Sequence, residues 1–216
     1  MATFEVLPDP ASVARVAAET VRSLLAAGAR TLVLAGGTTP AACYRELAGM
    51  DVAWGRVTLL FGDERCVAPD DPESNYRMAR EALLGRADPA SIHRMAGELG
   101  PDEAAAAYDA IVAGLQPLDV VLLGVGEDGH TASLFPGNPA LQAEGWATPV
   151  RGAPKPPPER VSLTLRAIRG ARTVLVLATG AAKADAVALA RAGTVPSGMI
   201  ERARWLLDPA AAGTES

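Results

Sequence analysis

Short apolar runs alternate with alanine-rich, helix-periodic segments along most of the chain, and this alternation restricts the fold more than any other feature. The runs at 31–35, 57–61, 119–123, 161–165 and 173–178 are almost continuously apolar. Strands buried on both faces have this composition, because neither face meets water. Residues 11–27 instead place Val13, Val16, Ala17, Val21, Leu24 and Leu25 at helical spacing, with Ser12 near the start and Gly28 as a stop. Further helices are predicted over 41–48, 75–84, 102–115 and 181–192, and a last short strand over 203–207. Strands separated by helices predict an α/β protein with a mostly parallel sheet covered on both faces. The length of 216 residues fits one domain over 1–216.

In sheets of this kind ligands bind outside the carboxyl ends of the strands. Three distinctive loops follow strand ends, at 36–40, 62–76 and 124–137. They are expected on one edge of the sheet, where they can share a pocket. Composition narrows what that pocket holds. Aromatic residues are 4% of the chain and the net charge is −5. Few rings are left for stacking bases, and no cationic surplus is left for phosphate backbones or acidic membranes. Nucleic-acid and membrane partners are therefore not expected, whereas a small anion needs only a few local cations. Cys43 and Cys66 form no CxxC pair, so no zinc site or redox pair is expected. Two free thiols fit a reducing compartment. Residues 1–8 lack the basic and apolar blocks of a signal peptide, and no apolar run reaches the ~20 residues that span a bilayer. A cytoplasmic protein is the expectation.

Four motifs carry chemistry. The first, Gly36-Gly37-Thr38-Thr39-Pro40, joins a strand to a helix. Glycines permit close backbone approach, and a helix N-terminus presents free N–H groups to an anion. A tight turn with a threonine cap explains the same residues equally well. The segment matches neither a P-loop nor GxGxxG, so ATP and NAD gain no support. The second is Asp63-Glu64-Arg65, followed by Ser74-Asn75-Tyr76. Arg65 can clamp a phosphate or carboxylate, and Asp63 can orient sugar hydroxyls or a catalytic partner. A solvated ion-pair network is the competing explanation. Metal binding is not expected here. Cys66 beside Arg65 is either an activated or, more simply, a packed thiol.

The third motif runs from Gly124 to Gly137 and contains His130, two residues after Asp128 and one after Gly129. A histidine at a strand end can exchange protons near neutral pH, and a nearby carboxylate fixes its tautomer. Spacing alone does not establish that Asp128 touches His130. His93 lacks such a setting, and Ser133 is not in a GxSxG elbow. The fourth is Thr179-Gly180-Ala181-Ala182-Lys183. A lysine in the first turn opposes the helix dipole unless an anion sits there, though a solvent-facing lysine fits as well. Finally, 151–160 carries Pro154 and Pro156 to Pro158. It is either a plain surface connection or a basic flap through which Lys155 and Arg160 reach an anion. The tail over 210–216 is expected to fray.

Together these segments resemble the 6-phosphogluconolactonase family. The matching stretches are Gly-Gly-Thr-Thr-Pro (36–40), Phe-Gly-Asp-Glu-Arg (61–65), Ser-Asn-Tyr (74–76), 123–137, Arg-Val-Ser-Leu-Thr (160–164) and Thr-Gly-Ala-Ala-Lys (179–183). They occur in the family's order, and Thr38 keeps the hydroxyl where many members have serine. The resemblance implies a Rossmann-like, doubly wound three-layer α/β/α fold of the sugar-phosphate isomerase/deaminase type. It implies hydrolysis of 6-phospho-D-glucono-1,5-lactone without a cofactor. By the same resemblance His130 is the general base; Asp128 and Asp63 are the other catalytic candidates. Arg65 and Lys183 hold the phosphate. Gly36, Gly37, Thr38, Thr39, Asn75, Gly129 and Arg160 complete the substrate site. A monomer or weak dimer is expected.

Two alternatives remain open. Glucosamine-6-phosphate deaminases follow a similar Gly-His segment with Asn-Glu-Pro, where this chain has Leu134-Phe135-Pro136, and they have tyrosine in place of Arg65. Both departures point toward the lactonase. A catalytically silent sugar-phosphate sensor on the same fold is the third possibility. It would have no need of a base at His130.

Overall fold

The structure is a computed structural model and describes residues 1–214. Its seven-stranded sheet is entirely parallel and runs in the order β1-β10-β9-β6-β2-β3-β5, where β1 is Thr3–Val6, β2 Thr31–Leu34, β3 Thr58–Phe61, β5 Ser91–Ile92, β6 Val120–Gly124, β9 Thr173–Ala178 and β10 Arg204–Leu207. Alternation along each strand divides the core in two. Leu32, Leu34, Leu59, Phe61, Val120, Leu122, Leu175, Leu177 and Leu206 face one side. Val33, Leu60, Val121, Leu123, Val174, Val176, Trp205 and Leu207 face the other. Helices cover both sides, as continuously apolar strands require. On the first lie α1 (Pro10–Ala26), α2 (Thr38–Ala48) and the short α3 (Asn75–Ala79). On the second lie α4 (Pro101–Ala113), α5 (Leu165–Gly170), α6 (Ala184–Arg191) and α7 (Pro209–Ala212). Among the described residues no helix is long and apolar enough to cross a membrane.

The chain departs from the sequence expectation in several places. The apolar run at 161–165 is a strand, but it belongs to a separate antiparallel sheet. That sheet has the order β4-β8-β7, with β4 Asp63–Arg65, β7 Ala147–Val150 and β8 Arg160–Leu163. Hydrophobic pattern announces burial and not the identity of the pairing partner. The loop expected over 62–76 includes β4, whose Asp-Glu-Arg sequence has poor strand propensity and pairs through its backbone with Arg160 to Ser162. Helix α1 is capped by Asp9, which accepts from the Ser12 N–H. Part of the tail expected to fray forms α7, which Asp208 caps. Residues 215–216 of that tail lie outside the described residues.

Two buried tyrosines close the strand ends nearest the site. Strands β2 and β6 pair only at Leu32–Val120 and Val33–Val121, then part. Beyond β2, the Tyr44 hydroxyl accepts from the Ala35 N–H at 2.7 Å and donates to the Ala35 carbonyl at 2.8 Å. Tyr108 repeats the arrangement on Phe61, at 2.7 and 3.0 Å. Each phenol therefore satisfies a donor and an acceptor that the ladder has abandoned. Burial pushes both phenols above their ordinary range. Tyr108→Phe leaves the Phe61 N–H and C=O unpaired and is expected to cost about 1–3 kcal/mol. A urea titration checks this: the midpoint falls with an unchanged slope, and an unchanged midpoint would remove the role.

Candidate active site

The crossover from β5 back to β6 makes the β2–β6 boundary a topological switch point. The loop after β2 turns to one face and the loop after β6 to the other, which opens a crevice between them. A cavity of about 200 Å³ lies there. Gly36, Gly37, Thr38, Thr39, Asp63, Arg65, Asn75, His130, Lys155, Arg160 and Lys183 all line it. The three loops expected to share a pocket do so, joined by the segments around Lys155 and Lys183. Four cations and one carboxylate line the cavity, although the chain carries a net charge of −5. Such a local excess favours an anion.

His130 stands on the rim with its ring nitrogen Nδ1 2.5 Å from Asp128 Oδ1, and Asp128 Oδ1 also accepts from the His130 backbone N–H at 3.2 Å. The contact that spacing left open is made. With Nδ1–H donated to Asp128, Nε2 keeps the basic lone pair. The pair rests directly on Gly126. A Cβ there would lie 2.0 Å from His130 Nδ1 and 2.6 Å from Asp128 Oδ1, so only glycine fits. The Gly126 N–H donates to the His130 carbonyl at 2.8 Å and closes the loop. Phe135 packs beside the imidazole at 4.4 Å between ring centroids. Burial raises the Asp128 carboxyl, but the hydrogen bonds and charge of His130 outweigh it and hold the group below its ordinary range.

Arg65 lines the cavity with its Nη1 donating to the Glu73 carbonyl at 2.5 Å and lying 3.7 Å from the Glu73 carboxylate. Its buried Nε has no hydrogen-bond partner among the described residues. The Arg65 side chain is nevertheless 24% exposed and lines the cavity, where its guanidinium can meet an anion. Glu64 supports this side of the site, and the sequence reading gave it no role. Its carboxylate, 3% exposed, accepts from the N–H groups of Arg65, Asn75 and Tyr76 and from the Ser74 hydroxyl, at 2.7–2.9 Å. Burial pushes Glu64 up, against the pull of those four bonds. The one available signal was Ser74, a capping residue, ahead of Asn75.

Several of the expected site residues also hydrogen-bond within the protein. Asp63 makes no hydrogen bond with His130 among the described residues. Its carboxylate accepts from Asn75 Nδ2 at 3.1 Å and from the buried Ser133 hydroxyl at 2.6 Å. Asn75 is fixed by these bonds. Its side-chain oxygen occupies the space beside Gly36, where a Cβ would approach it to 2.1 Å. Gly36 is therefore glycine to admit Asn75. Gly129 lies outside the cavity lining: its N–H donates to the Gly126 carbonyl and its own carbonyl accepts from Ser197. Arg160 reaches the cavity, but its Nε and Nη2 donate to backbone carbonyls of the 151–159 loop. The Thr39 hydroxyl bonds Thr179 at 2.7 Å, tying the first motif to the fourth. Gly37, not a threonine, caps α2, and it offers no side-chain bond, so the N–H groups of that first turn remain available. His93 lies outside this cavity. Cys66 is a packed thiol, pushed up to about 11 by burial and by Glu159 and Glu64.

The fold and site define a doubly wound α/β/α protein whose switch-point crevice is fitted to an anion beside a carboxylate–imidazole pair. A family model described as glucosamine-6-phosphate isomerases/6-phosphogluconolactonase matches residues 9–208, and the chain belongs to that family. The 6-phosphogluconolactonase of Mycobacterium leprae is 43% identical over 221 residues, covering 90% of this chain and 89% of the relative. The 6-phosphogluconolactonase of Streptomyces coelicolor is 41% identical over 230 residues, covering 94% and 88%. Among solved structures, the 6-phosphogluconolactonase of Trypanosoma brucei superimposes with a TM-score of 0.89 at 29% identity, covering 100% of this chain and 99% of that one.

The depressed Asp128 carboxyl has a consequence for acid stability. Its folded value lies below its unfolded value, so the Asp128–His130 contact stabilises the fold above the ordinary carboxylate range. That contribution disappears as pH falls through the depressed value. Asp128→Asn is therefore expected to be less stable than wild type at neutral pH, with the gap closing in acid. Urea midpoints measured from pH 7 to pH 3 check the trend. A gap that stays constant with pH would contradict it.

Proposed function

We propose that this chain, as one domain over 1–216, hydrolyses 6-phospho-D-glucono-1,5-lactone to 6-phospho-D-gluconate. This is the second step of the oxidative pentose phosphate pathway. The observation that carries the proposal is the Asp128–His130 pair on the rim of a cavity lined by Arg65 and Lys183. The lactone is already electrophilic, so the protein must supply orientation, a base and charge stabilisation. Neutral His130 accepts a proton at Nε2 from a water as the water oxygen bonds to C1. The negative charge that develops on the carbonyl oxygen is met by backbone N–H groups of the 36–39 turn, where α2 has no side-chain cap. As the tetrahedral centre collapses, the C1–ring oxygen bond breaks. The imidazolium returns its proton to the departing oxygen, and the new acid ionises. Arg65 and Lys183 hold the phosphate, so remote binding energy becomes orientation at C1.

The chemistry calls on no redox or group-carrying cofactor. A cytoplasmic monomer or weak dimer is the accompanying proposal. Phe135 favours the lactonase over amino-sugar deamination. The position beside His130 that would carry a second acid holds a phenyl ring, 2% exposed for the residue as a whole.

The test is lactone loss above the spontaneous rate at controlled pH. His130→Ala is expected to lower kcat by roughly 10²–10⁴-fold. A near-wild-type kcat would take His130 out of the mechanism. Ammonia release from glucosamine 6-phosphate would establish the deaminase instead. Sugar-phosphate binding without turnover would establish a sensor.

A further inference from the structure

We propose that Lys155 is a specificity-determining residue, carried over the cavity on a flap that Arg160 positions, and that it exchanges Glu127 for the phosphate of the substrate. The proposal rests on the lactone-hydrolysis assignment and adds a third phosphate cation to Arg65 and Lys183. The flap is the loop between β7 and β8. Four prolines in that loop remove backbone donors, and most of its residues are exposed. A plain surface connection would leave its carbonyls to water. Here they are claimed by a guanidinium that is itself buried.

Arg160 is 4% exposed. Its Nε donates to the Pro157 carbonyl at 3.0 Å, and its Nη2 donates to the Lys155 carbonyl at 2.8 Å and the Pro156 carbonyl at 3.4 Å. Its Nη1 lies 3.5 Å from the Ser133 hydroxyl, which donates to Asp63 at the cavity wall. The Ala153 N–H closes the base of the loop on the Pro158 carbonyl at 3.0 Å. The backbone at Lys155 is thus tied to the same network that holds Asn75. Arg160 is a positioning residue, because its donors face the loop.

The Lys155 side chain, in contrast, is held by one exposed ion pair. It is 57% exposed, and its carboxylate partner is Glu127, 58% exposed, at 3.7 Å. A solvated pair at that distance is worth about 0–1 kcal/mol. Glu127 precedes Asp128, so the contact joins the flap to the loop bearing His130. A phosphate, with a charge of about −1.5 to −2 near neutrality, competes well against one exposed carboxylate. Binding then moves the ammonium from Glu127 to the ligand at little cost. The two positions predict opposite effects, since Lys155 contributes attraction and Glu127 competes for it.

The experiment compares wild type, Lys155→Ala and Glu127→Gln on the 6-phosphorylated and unphosphorylated lactones, with titration calorimetry of 6-phosphogluconate and gluconate. Both positions are exposed, and an unchanged urea midpoint verifies each fold. Loss of one charged contact corresponds to about a tenfold change. Lys155→Ala is expected to lower the phosphorylated-to-unphosphorylated ratio of kcat/KM about tenfold. The loss lies mainly in KM, with a matching rise in the Kd of 6-phosphogluconate. Glu127→Gln is expected to lower KM for the phosphorylated lactone, a gain that a merely structural contact would not give. An unchanged ratio and Kd in Lys155→Ala, while wild type still hydrolyses the lactone, would overturn the proposal and leave the functional assignment standing. If wild type binds 6-phosphogluconate without hydrolysing the lactone, the assignment fails, and the Kd comparison alone decides the role of Lys155.

Discussion

The parting of β2 and β6 is the constraint on which the rest of the structure depends. The chain builds the sheet outward from β2 in one direction, then returns and builds outward from β6 in the other. Adjacent strands at such a boundary send their following loops to opposite faces. The crevice is therefore a consequence of connectivity. Each polar backbone group exposed by the parting needs a partner, and Tyr44 supplies two of them at Ala35. Tyr108 does the same for Phe61 at the neighbouring strand end. The rigid strand ends then give the site a fixed edge against which loops can be placed.

Buried carboxylates tie the loops to the small antiparallel sheet and to α3. Glu64 gathers donors from residues 65 and 74–76, and Asp63 joins Asn75 to Ser133. Arg160 extends the network from Ser133 to the proline-rich flap. Buried charges of this kind are tolerated only when their hydrogen-bonding capacity is met. Their reward is positional: Arg65, Asn75 and Lys155 come from separate segments and converge on one cavity. His130 is placed differently, on a loop whose Gly126 admits the imidazole and the Asp128 carboxylate against its backbone.

The central strands were legible in the sequence because burial on both faces leaves an unbroken apolar run, as in Val120 to Leu123. The short or polar strands were not. β4 is Asp-Glu-Arg, β5 has two residues and β7 contains Pro149, so their pairing is decided by tertiary contacts rather than by local preference. The run beginning at Val161 announced a strand, but nothing local to it named β4 and β7 as its partners. The edge that bears the site, and most of the residues on it, could be inferred from loops after strand ends. Which of those residues face a ligand could not. Asp63 and Arg160 line the cavity and also hydrogen-bond within the protein, whereas Gly129 lies outside the lining. A motif marks a residue that the architecture needs. Only the geometry separates a ligand from the residue that positions it.

We propose that the crevice holds a sugar phosphate in one orientation, with phosphate at Arg65 and Lys183 and C1 at His130. A crystal structure with bound 6-phosphogluconate tests it most directly. Phosphate oxygens are expected within hydrogen-bond reach of the Arg65 guanidinium, about 2.7–2.9 Å, and of the Lys183 ammonium, with the C1 carboxylate facing His130 Nε2 and the N–H groups of the 36–39 turn. A ligand bound in reverse, with its phosphate on the 36–39 turn and its carboxylate on Arg65, would contradict it.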